Sequence, residues 1–227
     1  MDWRGPEEGD HFFSFLHGKL EGSGQEIFLD RDWEVVLGAI EYLNQYEGDA
    51  PLCLVLTLLF PHVPYAVEEP YFSQINRSHL PERIPKPPPE AGKSGMMEEL
   101  GRSNQMAGWP DDDPRWNEIR AVYFGMCARL DDQWGRIVQA VKDKGIYDDT
   151  ALLMFSDHGD YTGDYGLVEK AQNSFEDCLT RVPLLIKPPA DQPCTPGIRD
   201  ANPMKVQTGN GSLSLEYVVG DDGKVET

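Results

Sequence analysis

Three polar side chains directly follow two apolar runs, and their types suit ligand binding. His62 follows the run 52–59, and Asp157 and His158 follow the run 150–155. If the two runs are neighbouring parallel strands, the three side chains meet at one rim, because ligands of open α/β sheets bind outside the carboxyl ends of the strands. An Asp and a neutral His together can hold a divalent cation through oxygen and imidazole nitrogen. Each residue alone is more typical of a core histidine or a turn former, so their coincidence at two strand ends carries the prediction of a site.

Two other chemistries are excluded around the same residues. Ser156, Asp157 and His158 are consecutive in an extended segment, so neighbours point to opposite faces and cannot form a Ser-His-Asp relay. Asp157, Asp160 and Asp164 lack the order of a calcium-binding loop, because no Gly stands sixth and no Glu twelfth from a suitable first Asp. The sequence therefore indicates neither a serine hydrolase nor an EF-hand.

The elements that position these residues follow a strand, helix, strand order. Apolar residues recur at helical spacing over 30–46 and 113–145, while 52–59, 150–155 and 182–187 are short apolar runs typical of buried strands. A strand, a long helix and a second strand form a right-handed crossover unit. We therefore predict an α/β fold with a mostly parallel sheet flanked by helices.

Two regions fall outside this pattern. Residues 66–112 lack periodicity and are rich in proline, which predicts a long loop that could form a lid or wall. The alternative is a polyproline docking segment at 85–89, although short proline clusters in globular chains are mostly structural. We predict one partial catalytic domain over 1–189 and a weakly packed tail over 190–227, with one hairpin strand near 213–219.

Composition narrows the class of protein. The 227 residues carry a formal charge of −19, which argues against binding nucleic acid through its phosphates. No apolar run approaches the ~20 residues of a membrane span. The first residues lack a signal peptide pattern, and the cysteines are far apart with no C-x-x-C pair, so a cytoplasmic, reducing location is expected. The cysteines are Cys53, Cys127, Cys178 and Cys194.

The sequence around the predicted site resembles the sulfatase family of the alkaline phosphatase superfamily. That family carries an Asp-His-Gly or Asp-Asn-Gly metal motif after a strand, then Gly-Leu, Lys, an aromatic-Glu pair and Arg-x-Pro. The corresponding residues here are Asp157-His158-Gly159, Gly166-Leu167, Lys170, Phe175-Glu176 and Arg181-Val182-Pro183. PHVPY at 61–65 resembles the Pro-His-x-Pro-aromatic motif of the family. The resemblance spans roughly residues 30–189, and its ordered motifs make it specific.

The resemblance implies a concrete site. Asp157 and His158 would be two ligands of a calcium or magnesium ion, while His62 and Lys170 would contact the sulfate oxygens. Sulfuryl transfer requires cationic groups around oxygens that gain negative charge, so these residue types fit the chemistry. The implied activity is hydrolysis of small-molecule or carbohydrate sulfate esters.

The sequence also departs from the family pattern. The family nucleophile lies in a Cys-x-Pro-x-Arg or Ser-x-Pro-x-Arg motif before the Pro-His-x-Pro motif, and nothing before His62 matches it. Residues 194–199, CTPGIR, are a near miss with the Arg one position late. Tyr165 stands where many relatives have His after Asp164. We therefore expect the chain to correspond to the middle and later part of a sulfatase catalytic domain, with negligible turnover of its own.

Two alternatives stay open. Phosphonate or phosphodiester hydrolysis is the close variant, because a metal ion and cationic side chains suit any tetrahedral anion. A non-catalytic remnant that binds an anion or a partner is the second, and the missing nucleophile favours it.

Overall fold

The computed structural model describes residues 16–21, 29–92, 95–103, 109–171 and 174–192. Five helices and four strands occur in these ranges, together with three short 3₁₀ turns. In chain order the elements are β1 Leu16–Lys19, α1 Arg31–Gln45, β2 Tyr65–Val67, α2 Tyr71–Gln74, α3 Gly95–Ser103, α4 Pro114–Asp143, β3 Leu152–Phe155, α5 Asp177–Thr180 and β4 Leu184–Lys187.

The two predicted helices are confirmed, and side-chain caps set where they begin. The Asp30 carboxylate accepts a hydrogen bond from the Trp33 amide at the start of α1, and Asp113 accepts from the Arg115 amide at the start of α4. Both bonds satisfy a first-turn amide that has no partner within the helix. Helix α4 ends before Gly145, whose φ of 78° lies in the left-handed region that favours glycine.

Helix α4 is the central element of the core. Its buried face packs against β2, and Trp116, Ile119, Val122 and Met126 form one cluster with Val63, Tyr65, Val67 and Val168. Its later turns pack against α1 through Ile137, Ala140 and Val141. The long helix therefore joins the segment after His62 to the first helix of the chain.

The sheet differs from the prediction. Strands β1 and β2 pair in parallel, whereas β3 and β4 pair antiparallel in a separate two-stranded sheet. The predicted strands at 150–155 and 182–187 are confirmed as β3 and β4, but 52–59 is not a strand. No backbone ladder involving 52–59 is found among the described residues, and a strand requires such a ladder.

The segment 52–59 nevertheless packs along the helices in an extended manner. Leu52, Leu56 and Leu58 are partly buried against the clusters formed by α1 and α4. Val55 is 83% exposed, and Phe155 on β3 is 69% exposed. Helices α1 and α4 therefore cover one side of the segment 52–59, while Val55 on this segment is exposed.

The predicted loop 66–112 contains more structure than its composition suggested. It holds two residues of β2, together with α2, α3 and two 3₁₀ turns. The proline-rich part is tied to the 161–167 loop: the Ile84 amide donates to Asp164, and the Tyr165 amide donates to the Ile84 carbonyl oxygen. Backbone hydrogen bonds, which proline content does not reveal, thus hold this segment against the protein.

Two further expectations concern the ends of the chain and membranes. The predicted hairpin strand at 213–219 and most of the tail lie outside the described residues. Among the helices that the structure describes, none is both long and apolar enough to cross a membrane.

Candidate anion site

His62 lies in a turn that the first helix holds in place. The Asp32 carboxylate accepts hydrogen bonds from the Leu59 and Phe60 amides, and the His62 amide donates to the Leu59 carbonyl oxygen at 2.7 Å. His62 Nδ1 lies 2.8 Å from the Val63 carbonyl oxygen. Because a carbonyl oxygen only accepts, Nδ1 carries a proton, and Nε2 is the nitrogen that faces the site.

Lys170 forms a hydrogen-bonded pair with His62. Its Nζ donates to His62 Nε2 at 2.9 Å and to Glu169 Oε1 at 3.3 Å. The same Glu169 oxygen lies 3.9 Å from His62 Nε2. One carboxylate oxygen of the protein therefore lies close to both nitrogens.

Asp157 and His158 stand on the same rim. The imidazole rings of His62 and His158 are 6.4 Å apart between centroids. His158 Nδ1 donates to the Gly159 carbonyl oxygen at 2.7 Å, which leaves Nε2 as the available ligand atom, 3.9 Å from Asp157 Oδ1. The structure thus brings together all four residues that the sequence analysis singled out, although their chemical roles stay predictions.

Gly159 fixes the turn that carries Asp157 and His158. Its amide donates to the Leu179 carbonyl oxygen at 2.8 Å, and a Cβ at this position would lie 1.9 Å from the Cys178 carbonyl oxygen. Only glycine permits such a close approach of two backbones. The Gly of the Asp-His-Gly motif therefore serves to dock this turn on α5.

A buried polar cluster lies beneath the rim. The Tyr65 hydroxyl donates to Asp160 Oδ1 at 2.7 Å and accepts from the Glu169 amide at 2.9 Å, while the Thr162 amide also donates to Asp160 Oδ1 at 2.7 Å. Burial raises the pKa of Asp160 to about 6, although the two hydrogen bonds favour its ionised form. Burial and the nearby Asp160 charge raise the pKa of Tyr65 well above its usual value, so the hydroxyl keeps its proton.

The donor set fits a divalent cation only in part. Asp157 and His158 offer one carboxylate and one imidazole nitrogen, which a hard or borderline cation accepts. No group of three or more His, Cys, Asp or Glu side chains that could hold a metal ion is found among the described residues. The described part of the chain therefore supplies two ligands of a shell that requires more.

A cleft of about 230 Å³ opens on the other side of the His62 turn. It lies between β1 and the 59–66 turn, and Leu20, Leu59, Phe60 and Val63 line most of it. His62 thus lines this mainly apolar cleft and also contacts Lys170.

Sequence reasoning missed Tyr65, Asp160 and Glu169. Tyr65 was visible only as the last residue of PHVPY, and Asp160 only as one of several acidic residues. Their signal is tertiary, because Tyr65 contacts residues 95 and 104 positions away in sequence. No spacing rule predicts such a contact.

Comparison with known proteins identifies the family. The sulfatase family profile matches residues 25–206. The chain is 28% identical over 207 residues to choline-sulfatase of Rhizobium meliloti, covering 85% of this chain and 39% of that protein. It is 29% identical over 160 residues to the multifunctional alkaline phosphatase superfamily protein PehA of Trinickia caryophylli, covering 66% of this chain and 30% of that protein.

A solved structure agrees with these relatives. The phosphonate monoester hydrolase of Agrobacterium radiobacter is similar with a TM-score of 0.56 and 28% identity, covering 70% of this chain and 33% of that one. The chain thus spans between about 30% and 40% of the length of these proteins. The matched family profile includes all four residues of the predicted site. The chain therefore belongs to the sulfatase family of the alkaline phosphatase superfamily.

Proposed function

We propose that His62 and Lys170 bind the tetrahedral anion of a sulfate ester, and that the chain contributes this site to a sulfate ester hydrolase. The observation that carries the proposal is the 2.9 Å contact between Lys170 Nζ and His62 Nε2. The contact brings the two nitrogens close enough to meet two oxygens of one anion bound between them, which suits a chain of the sulfatase family.

Lys170 and His62 would act by electrostatic stabilisation and hydrogen bonding. Charge grows on the oxygens of the transferred group during hydrolysis, and donors already in position stabilise that charge without reorganisation. The Glu169 carboxylate occupies these donors in the ligand-free protein. An incoming anion therefore has to displace this carboxylate.

The local character of the site matters because the protein as a whole is acidic. A formal charge of −19 disfavours the approach of any anion. Binding must therefore depend on short-range donation from Lys170 and the imidazoles. Salt should change it only modestly, because screening acts mainly beyond about 8 Å at physiological ionic strength, whereas the donors act at hydrogen-bond distance.

Asp157 and His158 would hold a calcium ion, with magnesium as the alternative. Such an ion would neutralise charge on the bound oxygens. Asp157 is 87% exposed and His158 donates through Nδ1, so both keep ligand atoms available. The remaining ligands would come from the substrate, from water or from residues beyond those described.

Hydrolysis of phosphonate esters is the second candidate. The 28% identity to a phosphonate monoester hydrolase favours it, and the donor pair suits a phosphonate as well as a sulfate. Direct comparison of an aryl sulfate with an aryl phosphonate monoester as ligands separates the two, because the tighter ligand indicates the class. A non-catalytic anion-binding role remains the alternative if neither is hydrolysed.

Calorimetric titration of the 227-residue chain with sodium sulfate at low ionic strength tests the proposal. We expect weak binding, with a Kd of the order of 1 mM, and at least fivefold weaker binding in Lys170→Met, because a charge-assisted hydrogen bond is lost. Lys142→Met is the matched control, since Lys142 on α4 lies over the Tyr147 ring and is not part of the site. Equal affinities in the wild type and Lys170→Met would overturn the proposal.

Turnover of an aryl sulfate in the presence of calcium is a separate measurement on the same chain. We expect negligible turnover, because no Cys-x-Pro-x-Arg motif is present and the covalent step requires a nucleophile. Robust turnover that Cys194→Ala abolishes would instead identify the near-miss motif at 194–199 as the nucleophile.

A further inference from the structure

One phenol joins the three segments that carry the site. Tyr65 lies three residues after His62, and its hydroxyl reaches Asp160, two residues after His158, and the amide of Glu169, next to Lys170. Each of the four site residues therefore lies within three positions in sequence of Tyr65 itself or of a residue that hydrogen-bonds to its hydroxyl.

The Tyr65 ring itself is held by the core. It is fully buried in β2, packs with Trp116 and Met126 of α4, and meets the Tyr123 ring edge-on at 6.2 Å. A ring enclosed in this way has few alternative rotamers. The hydroxyl is therefore held at a fixed position, from which it contacts the two loops that carry the site.

The Glu169 backbone needs such a fixed point. Its φ is 61°, in the left-handed region that non-glycine residues rarely adopt. Surrounding contacts must hold that conformation, and here the amide donates to Tyr65 while the carbonyl oxygen accepts from the Tyr161 amide at 2.8 Å. Because Lys170 follows directly, the direction of its side chain depends on this conformation.

We propose that Tyr65 is a positioning residue, whose hydroxyl clasps two loops by donating to the Asp160 carboxylate and accepting from the Glu169 amide, and so aims His158 and Lys170 at His62. The inference rests on the proposed function, because the site that the clasp organises is the proposed anion site. Tyr65 does not touch the anion itself. Its effect is to hold the donors in position before binding, which lowers the cost of ordering them.

Tyr65→Phe tests the clasp, because it removes only the hydroxyl. The matched control is Tyr71→Phe, which also removes a tyrosine-aspartate hydrogen bond, from Tyr71 to Asp132 at 2.8 Å, away from the site. Both variants should lose some thermal stability. Amide hydrogen exchange at Glu169 and the proton contact between the Lys170 side chain and the His62 ring, both measured by NMR without ligand, report on positioning.

We expect exchange at Glu169 to quicken at least tenfold and the contact between Lys170 and His62 to disappear in Tyr65→Phe, with neither change in Tyr71→Phe. Unchanged readouts in Tyr65→Phe, or equal changes in both variants, would overturn the inference. The wild type gives a test that does not depend on a variant folding. If its Glu169 amide exchanges as fast as an exposed amide, the clasp does not exist in solution and the inference fails.

Sulfate titration of the same samples separates this inference from the proposed function. We expect about fivefold weaker sulfate binding in Tyr65→Phe and unchanged binding in Tyr71→Phe. If the wild type does not bind sulfate, the proposed function fails, while the ligand-free readouts still decide whether Tyr65 positions Lys170. If sulfate binds equally to the wild type and Tyr65→Phe, the positioning role is refuted although the function stands.

Discussion

The two halves of the site are built differently. His62 and Lys170 stand over a buried floor, where Tyr65 is fully enclosed and its ring packs into the core around α4. Asp157 and His158 stand on an outer turn, where the Asp157 side chain is 87% exposed and the main anchor is the backbone contact of Gly159 with α5.

This difference indicates which function each half can perform alone. The half with His62 and Lys170 has its side chains already in contact, so the proposal is that it binds an anion within the described residues. The half with Asp157 and His158 offers two potential ligands and little enclosure, so we expect a low affinity for a cation until other groups complete the shell. A substitution in one half should affect the other half only through the hydrogen bonds of Tyr65 with Asp160 and Glu169.

Gly159→Ala should have the largest effect, because it breaks the outer half. The new Cβ would lie 1.9 Å from the Cys178 carbonyl oxygen, so either the turn or α5 has to move. We expect a loss of about 3 kcal/mol or more in the free energy of unfolding, measured by urea denaturation.

Gly38→Ala on α1 is the control for this substitution. No atom lies within 4 Å of a Cβ at that position. It should stabilise the protein by about 0.5–1 kcal/mol, because alanine favours the helix. Similar stabilities of the two variants would show that the turn does not dock on α5 as described.

Asp157→Ala tests the metal side of the comparison. Calorimetry should show weak calcium binding to the wild type, with a Kd of about 1 mM or weaker, and loss of most of that binding in the variant. Asp131→Ala, on the exposed face of α4, should bind calcium like the wild type. Tight binding that Asp157→Ala leaves unaffected would place the cation elsewhere.

Glu169→Gln should strengthen sulfate binding at His62 and Lys170, and this effect should be smaller than those of the preceding substitutions. Its carboxylate oxygen lies 3.3 Å from Lys170 Nζ and competes with an incoming anion. We expect sulfate affinity to rise about threefold at low ionic strength, as fits a partly exposed ion pair, and the gain to shrink in salt. Glu41→Gln on α1 makes the same change in net charge, and an equal gain there would mean that only the overall charge matters.

Much of the fold and the position of the site could be predicted from the sequence. Caps, periodicity and the glycine at 145 placed α1 and α4, and the apolar runs placed β3 and β4, because these signals are local. The resemblance to the sulfatases added Lys170, which the residues alone did not single out. The sequence also placed His62 near His158, but on the premise of neighbouring parallel strands, which was wrong because 52–59 is not a strand and β3 pairs antiparallel with β4.

The remainder could not be predicted because it depends on distant contacts. The run 52–59 has the composition of a buried strand, yet whether it joins a ladder depends on a neighbour that its own residues do not specify. The helix α3 within 66–112 packs through Met97 against Tyr161 and Leu167, and the clasp at Tyr65 depends on tertiary hydrogen bonds. Composition therefore misjudged the loop, and spacing missed the positioning residue.

A double-mutant cycle of His62→Gln and Lys170→Met on the sulfate dissociation constant tests the central claim most directly. If both side chains hold the same anion, each single variant should weaken binding about fivefold to tenfold. The double variant should then weaken binding by less than the product of the two effects, because either loss disrupts the shared site. Unchanged affinity in both single variants, or effects that simply multiply, would contradict a joint anion site at His62 and Lys170.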